Sequence, residues 1–209
     1  MRTALLIGSA MMASGVANAA PEPLPLGPGS MIFWSSGHDG GTEKFRETLI
    51  AQGDDFALYR TESEWSAGDT SDYFALFSGV YYTTCDLEMP TGEERDAIAD
   101  LWPLTPGARL EIETGDGAAY EIGDAMEYFL MGKYRPAYKV SATYMGEEAT
   151  DEEFVVLASQ PLTVAIDWQD GGRDSATLVT RPKSVASTPV DTDLIGNCAS
   201  LLNNQTDEN

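Results

Sequence analysis

Reactive side chains in this sequence are mostly carboxylates: of 209 residues, 34 are Asp or Glu, against 12 Lys or Arg, one histidine and two cysteines. Serine hydrolysis needs an imidazole to take the nucleophile's proton, so the base would have to be His38, the only histidine. It lies beside Asp39 in a glycine-rich run from Gly37 to Gly41, and no G-x-S-x-G elbow presents a serine to it. A solvated turn histidine is the simpler reading. Hydrolysis by paired carboxylates, of the glycosidase kind, is open in principle because acids are plentiful, but their separation is not written in the sequence.

Calcium is the one cofactor whose donor pattern is partly present. Asp167, Asp170 and Asp174 in DWQDGGRD copy part of a calcium loop, and Asp116, Glu121 and Asp124 in GDGAAYEIGD do so more faintly. Neither has ligands at positions one, three and five followed by a closing glutamate, and hairpin turns explain both more simply. No catalytic or metal set is therefore assigned, and no cofactor is expected. Zinc is disfavoured by the absence of Cys-x-x-Cys and by the lone histidine. Cys85 and Cys198, an even pair, are expected to form a disulfide if the chain reaches an oxidising compartment.

Such a compartment is what the N-terminus implies. Residues 1–19 carry one early cation, Arg2, an apolar run from Ala4 to Val16, and the small-x-small end Ala17-Asn18-Ala19 of a signal peptide. The run is shorter than the ~20 apolar residues that cross a bilayer. Cleavage after Ala19 leaves 190 residues and removes only Arg2, so the formal charge goes from −22 to −23. That surface repels nucleic acid and anionic membranes and attracts cations or basic partners. The expected location is secreted or periplasmic, with no integral membrane span after signal removal. The sequon Asn204-Gln205-Thr206 matters only in a host that glycosylates.

The elements that would position any site read mainly as strands. Thr91 with Glu94 forms a capping box ahead of Ala97, Ile98, Leu101 and Trp102 at helical spacing, and Pro103, Pro106 and Gly107 stop the helix, which spans 92–102. Leu110 and Ile112 alternate with acids, Asp116-Gly117 suits a type I′ turn, and Tyr120 and Ile122 resume the alternation. Earlier, Met31 to Ser36, Thr42 to Gln52 (Phe45 and Leu49 on one face), Phe56 to Trp65, Tyr73 to Phe77 and Val80 to Thr84 read as strands. Later, Asp124 to Leu130 suits strand or helix, with strand favoured by its glycine flanks. Tyr138 to Tyr144, Phe154 to Leu157, Leu162 to Trp168 and Ala176 to Thr180 complete the series, the last two joined by Asp170-Gly171-Gly172.

This pattern predicts a mainly β protein: an antiparallel β-sandwich or partly closed barrel of about ten short strands around one central amphipathic helix. Residues 20–30 form a Pro-rich extended lead-in outside the core, 31–181 a single β-rich domain, and 182–209 a C-terminal tail with a short helix suggested by Leu194, Cys198, Leu201 and Leu202. Trp34, Trp65, Tyr73, Tyr81, Tyr82, Tyr134, Tyr138 and Tyr144 pack the sheet, or line an apolar groove between sheet and helix. The function expected is an exported, soluble, non-enzymatic protein that binds a small molecule or a basic partner. The alternatives are a carboxylate-based hydrolase, marked by two close acids in a cleft, and a structural or envelope-interaction protein, marked by an exposed apolar patch. Ligand identity and oligomeric state are not encoded in any motif here.

Overall fold

A computed structural model of the chain describes residues 22–38, 41–63, 72–115, 117–145, 150–181 and 195–203. The leader at 1–19, Trp65, Asp39, Asp116, Leu194 and the sequon lie outside these residues. The strands are β1 (Met31–His38), β2 (Gly41–Gln52), β3 (Phe56–Ser63), β4 (Asp72–Phe77), β5 (Tyr81–Thr84), β6 (Arg109–Ile112), β7 (Ala118–Leu130), β8 (Lys133–Tyr144), β9 (Thr150–Leu157), β10 (Thr163–Asp167) and β11 (Arg173–Thr180). Two helices, α1 (Gly92–Asp100) and α2 (Ala199–Asn203), complete the described elements, together with a 3-10 turn at Gly196–Cys198.

All eleven strands form one antiparallel sheet in the order β5-β4-β3-β2-β1-β11-β10-β9-β8-β7-β6. Short links between consecutive strands produce two meanders, β1 to β5 and β6 to β11, as expected where connections are too short for a crossover. The meanders meet where β1 pairs with β11, Met31 opposite Thr180 and Gly37 opposite Arg173. The fold is thus mainly β and antiparallel, as the alternation predicts. It is a single sheet that does not close instead of two stacked ones, because β5 and β6, its edges, are joined by α1 and not by each other. The sheet nevertheless curls: the Tyr81 ring on β5 meets Tyr120 on β7 at 6.1 Å, and Tyr82 meets Phe154 on β9 at 6.2 Å.

The capping box at α1 is present in full, with the Thr91 amide donating to Glu94 Oε2 at 2.8 Å and the Glu94 amide donating to the Thr91 hydroxyl at 3.3 Å. The same carboxylate accepts the amides of Glu113 and Thr114 at 2.9 and 2.8 Å. These bonds explain a correction to the β6–β7 turn. Ile112 pairs with Ala118, so five residues link β6 and β7 in place of the two of a type I′ turn, with Glu113 and Thr114 held by Glu94; Asp116 itself lies outside the described residues. The helix ends at Asp100, two residues before the spacing predicts, and buries Ile98, with Leu101 buried just beyond it.

Three other departures follow from packing. The lead-in does not stand clear of the core: Leu24 is buried, Ser30 is fully buried, and Gly29 and Ser30 exchange backbone bonds with Leu49. The expected single face Leu162, Val164, Ile166, Trp168 is broken by a register shift between Thr163 and Ala165, which leaves Thr163, Val164 and Ala165 all buried. The turn before β5 uses Ser78 and Gly79 at φ 48° and 69°. A Cβ on Gly79 would stand 2.7 Å from the Pro161 carbonyl carbon, and the Thr163 hydroxyl donates to the Gly79 carbonyl at 2.8 Å. The end of β4 is thereby locked against the β9–β10 loop.

Cys85, just past β5, is bonded to Cys198 in the 3-10 turn, closing a separation of 113 residues. The amide of Asn197 donates to the Cys85 carbonyl at 2.8 Å, and its side chain to the Leu87 carbonyl at 2.7 Å. The C-terminal segment is thus pinned to one sheet edge, with Cys198 and Leu201 inside the core cluster that also takes Ile98, Leu101, Ile112 and Tyr120.

Candidate functional site

The concave face of the sheet can be followed across strands from the pairing alone. Trp34 on β1 stands opposite Phe45 on β2 and Ala176 on β11. Leu49 stands opposite Tyr59 and Tyr59 opposite Phe74. On the other side Asp174 stands opposite Ile166, and Ile166 opposite Phe154. Paired residues share a face, so these side chains line one continuous surface. Where that surface curls it forms a half-open cavity of about 240 Å³, walled by residues including Trp34, Phe45, Tyr59, Phe74, Tyr82, Phe154, Leu162 and Trp168. Stacked ring pairs stiffen the wall: Trp34 on Phe45 at 5.7 Å and Tyr59 on Phe74 at 5.3 Å between centroids.

Three carboxyl side chains, Glu47, Asp72 and Asp174, join this otherwise mostly apolar lining. Glu47 follows from alternation: it lies between Phe45 and Leu49 on β2 and so points the same way. Part of its surface stays accessible, but towards the cavity, and the protein around it withdraws the carboxyl from bulk water. Burial pushes its pKa up to about 8; the Trp34 N–H opposes that shift, and the charge of Asp174 adds to it. No hydrogen bond of ordinary geometry reaches Trp34 Nε1. Burial, with Glu47 nearby, also raises the Tyr59 phenol.

Asp174 is only 6% exposed. Its Oδ2 accepts from Trp168 Nε1 at 3.0 Å, while Oδ1 has no hydrogen-bond partner. His38 Nε2 approaches Oδ1 to 3.8 Å, and His38 Nδ1 lies 3.3 Å from Asp170 Oδ2. The imidazole packs flat on Gly172, where a Cβ would meet Nδ1 at 2.1 Å. His38 is thus the last residue of β1 and not the turn residue its glycine neighbours suggest, beside acids and outside the cavity lining.

The calcium-like acids separate into different tasks. Asp167 pairs with Arg173 at 3.0 Å, Asp170 accepts the Gly172 amide at 2.8 Å in its own turn, and Asp174 faces the cavity. Glu121 pairs with Arg109 at 2.8 Å. Among the described residues, no group of three or more His, Cys, Asp or Glu side chains is placed to hold a metal ion.

Of the aromatics singled out in the sequence, Trp34, Tyr73 and Tyr82 line the cavity. Tyr81 and Tyr144 instead belong to a buried tyrosine group with Tyr120, in which the Tyr144 hydroxyl donates to Glu152 at 3.1 Å. Burial raises the Glu152 pKa, against the Tyr144 hydrogen bond. Tyr138 packs on the first core cluster, and Tyr134 is exposed with Phe129 at the β7–β8 tip. The apolar hollow also does not lie between sheet and helix, as the sequence suggests. Ile98 and Leu101 fill the space under α1, and the hollow beside the helix end, near Ala99 and Trp102, is lined more by polar groups.

No protein-family model matches the chain, and no curated protein matches it by sequence. Two of the solved structures to which it shows some similarity are as follows. One is a hypothetical lipoprotein, YmcC, from Escherichia coli (K12), at 9% identity and TM-score 0.44 over 77% of this chain and 91% of that one. The other is MucB, solved in complex with MucA(peri), at 14% identity and TM-score 0.37 over 79% of this chain. This chain spans about half of the MucB chain (53%). Similarity at this level assigns no function. Among the described residues, no helix is long and apolar enough to cross a membrane.

Proposed function

We propose that the chain is an exported binding protein that holds a small, largely apolar ligand in the cavity on the concave face of its sheet. The observation that carries this reading is the aromatic-walled space of about 240 Å³. A protein interior normally packs without voids, and an apolar cavity of ~150 Å³ is already enough to take benzene. Here the surrounding rings are stacked in pairs and do not collapse inward, so the space is pre-formed. Export is supported by the leader-like residues 1–19 and by the bonded Cys85–Cys198 pair. The test is an NMR titration of the processed protein with toluene and indole, beside Thr61→Phe, which adds a ring to the cavity wall. Binding that Thr61→Phe abolishes supports the reading; binding unaffected by it refutes the location.

A second reading, carboxylate-based hydrolysis, is favoured by one observation: Glu47, with its pKa near 8, is a proton donor at neutral pH in the same cavity as Asp174. It predicts turnover of an aryl glycoside that Glu47→Gln and Asp174→Asn each abolish. The walls argue for binding, because they offer few polar groups to hold a sugar or an attacking water.

A further inference from the structure

The chemistry of the occupant follows from what the cavity leaves unpaired, and it rests on the ligand-site reading above. Among the described residues, the lining contains Glu47, Asp72 and Asp174 but no lysine, arginine or histidine. Asp174 is 94% buried by its 6% exposure, yet its Oδ1 receives no hydrogen bond. The His38 ring holds Nε2 3.8 Å away, beyond hydrogen-bond reach. Glu47 and Asp174 are diagonal neighbours of Trp34 on its two flanking strands, so one indole has a carboxyl on either side. A buried acceptor without a donor costs free energy that a ligand donor would recover. A charge-assisted bond raises the gain if that donor is positively charged. The indoles of Trp34 and Trp168 border the same space and offer ring faces to a cation.

We infer that the ligand is an organic cation: a primary or secondary ammonium on a small apolar body, its charged end drawn to the Asp174 carboxyl and its apolar part against Tyr59, Phe74 and Tyr82. A bare metal ion does not fit this space, because the wall is mainly apolar and no metal-ligand group of three is present among the described residues. An anionic ligand would meet three carboxyls and no base. The strongly acidic chain, formally −22, adds a field that gathers cations.

The experiment compares three probes of matched shape on the processed, disulfide-bonded protein by NMR titration: 2-phenylethylammonium, 2-phenylethanol and phenylacetate. The ammonium is expected to bind at least tenfold more tightly than the alcohol, with the carboxylate weakest. Asp174→Asn should remove most of that preference and leave alcohol binding in place. Equal affinity for ammonium and alcohol overturns the cation assignment and leaves the apolar site standing. A preference that survives Asp174→Asn also overturns it. Binding of none of the three, with toluene failing as well, overturns the cation and the ligand site together.

Discussion

Replacing Glu47 with glutamine removes a carboxyl whose pKa rises from 4.5 to about 8 on folding, and the consequence for stability can be worked through. The unfolded chain releases this proton near pH 4.5, whereas the folded protein keeps it until about pH 8. Between those values the native state binds the extra proton, so stability falls as pH rises, by ~1.4 kcal/mol per pH unit. The contribution is whole below pH 4.5 and fully lost above pH 8, a total of about 5 kcal/mol, and less where water enters the cavity. Urea unfolding at intervals from pH 4.5 to 8.5 should therefore show Glu47→Gln gaining on the wild type across this window, then running parallel to it. Curves that stay parallel from pH 4.5 upward would refute the desolvated placement of Glu47.

Other perturbations test the frame around the site. Glu94→Ala should cost about 1 to 2 kcal/mol in chemical denaturation, since it ends the capping box and frees the amides of Glu113 and Thr114. Although desolvation alone would raise the Glu94 pKa, hydrogen bonds from Thr114 and Thr91 bring it down to about 2. Its contribution is therefore present above the unfolded value and lost as pH falls towards 2, so an acid titration should separate wild type from variant only above that range. Replacing both Cys85 and Cys198 with serine opens a loop of 113 residues and should cost at most ~4 to 5 kcal/mol, read as a lower urea midpoint. Gly79→Ala should destabilise by more than ~1 kcal/mol, because the residue has φ 69° and its Cβ would press on Pro161; an unchanged melting temperature would contradict the locked β4–β5 turn.

The sheet was legible because alternation survives in most strands. Val140 and Ala142 on β8 point inward as the period of two requires, and the ambiguous run to Leu130 is the end of the long strand β7. The α1 boundary signals were readable because a capping box is local chemistry. What could not be read is set by contacts between distant residues. Glu94 reaching the 113–117 loop lengthens a turn that Asp116-Gly117 alone would make tight, and Leu24 enters the core despite its proline neighbours. The register shift in β10 disturbs the expected face of Leu162 to Trp168.

The cavity was half visible. Trp34, Tyr73 and Tyr82 were candidates, and Asp174 appeared only as a calcium-like acid. Phe45 and Leu49 were read on one face of β2, which already places Glu47 between them on that face, so its signal was one acid on an apolar stripe. Its meaning depends on Asp174, 127 positions further on, being brought beside Trp34 by the pairing of β1 with β11. No local pattern encodes that meeting.

The central claim, that the concave face of the sheet is a ligand site, is tested most directly with fluorine-labelled tryptophan. Trp34 and Trp168 line the cavity, whereas Trp102 borders the other hollow. Titration with 2-phenylethylammonium should move the Trp34 and Trp168 resonances, assigned by single Trp→Phe replacements, and leave Trp102 in place. Movement of Trp102 alone, or of no tryptophan at saturating probe, would contradict the account.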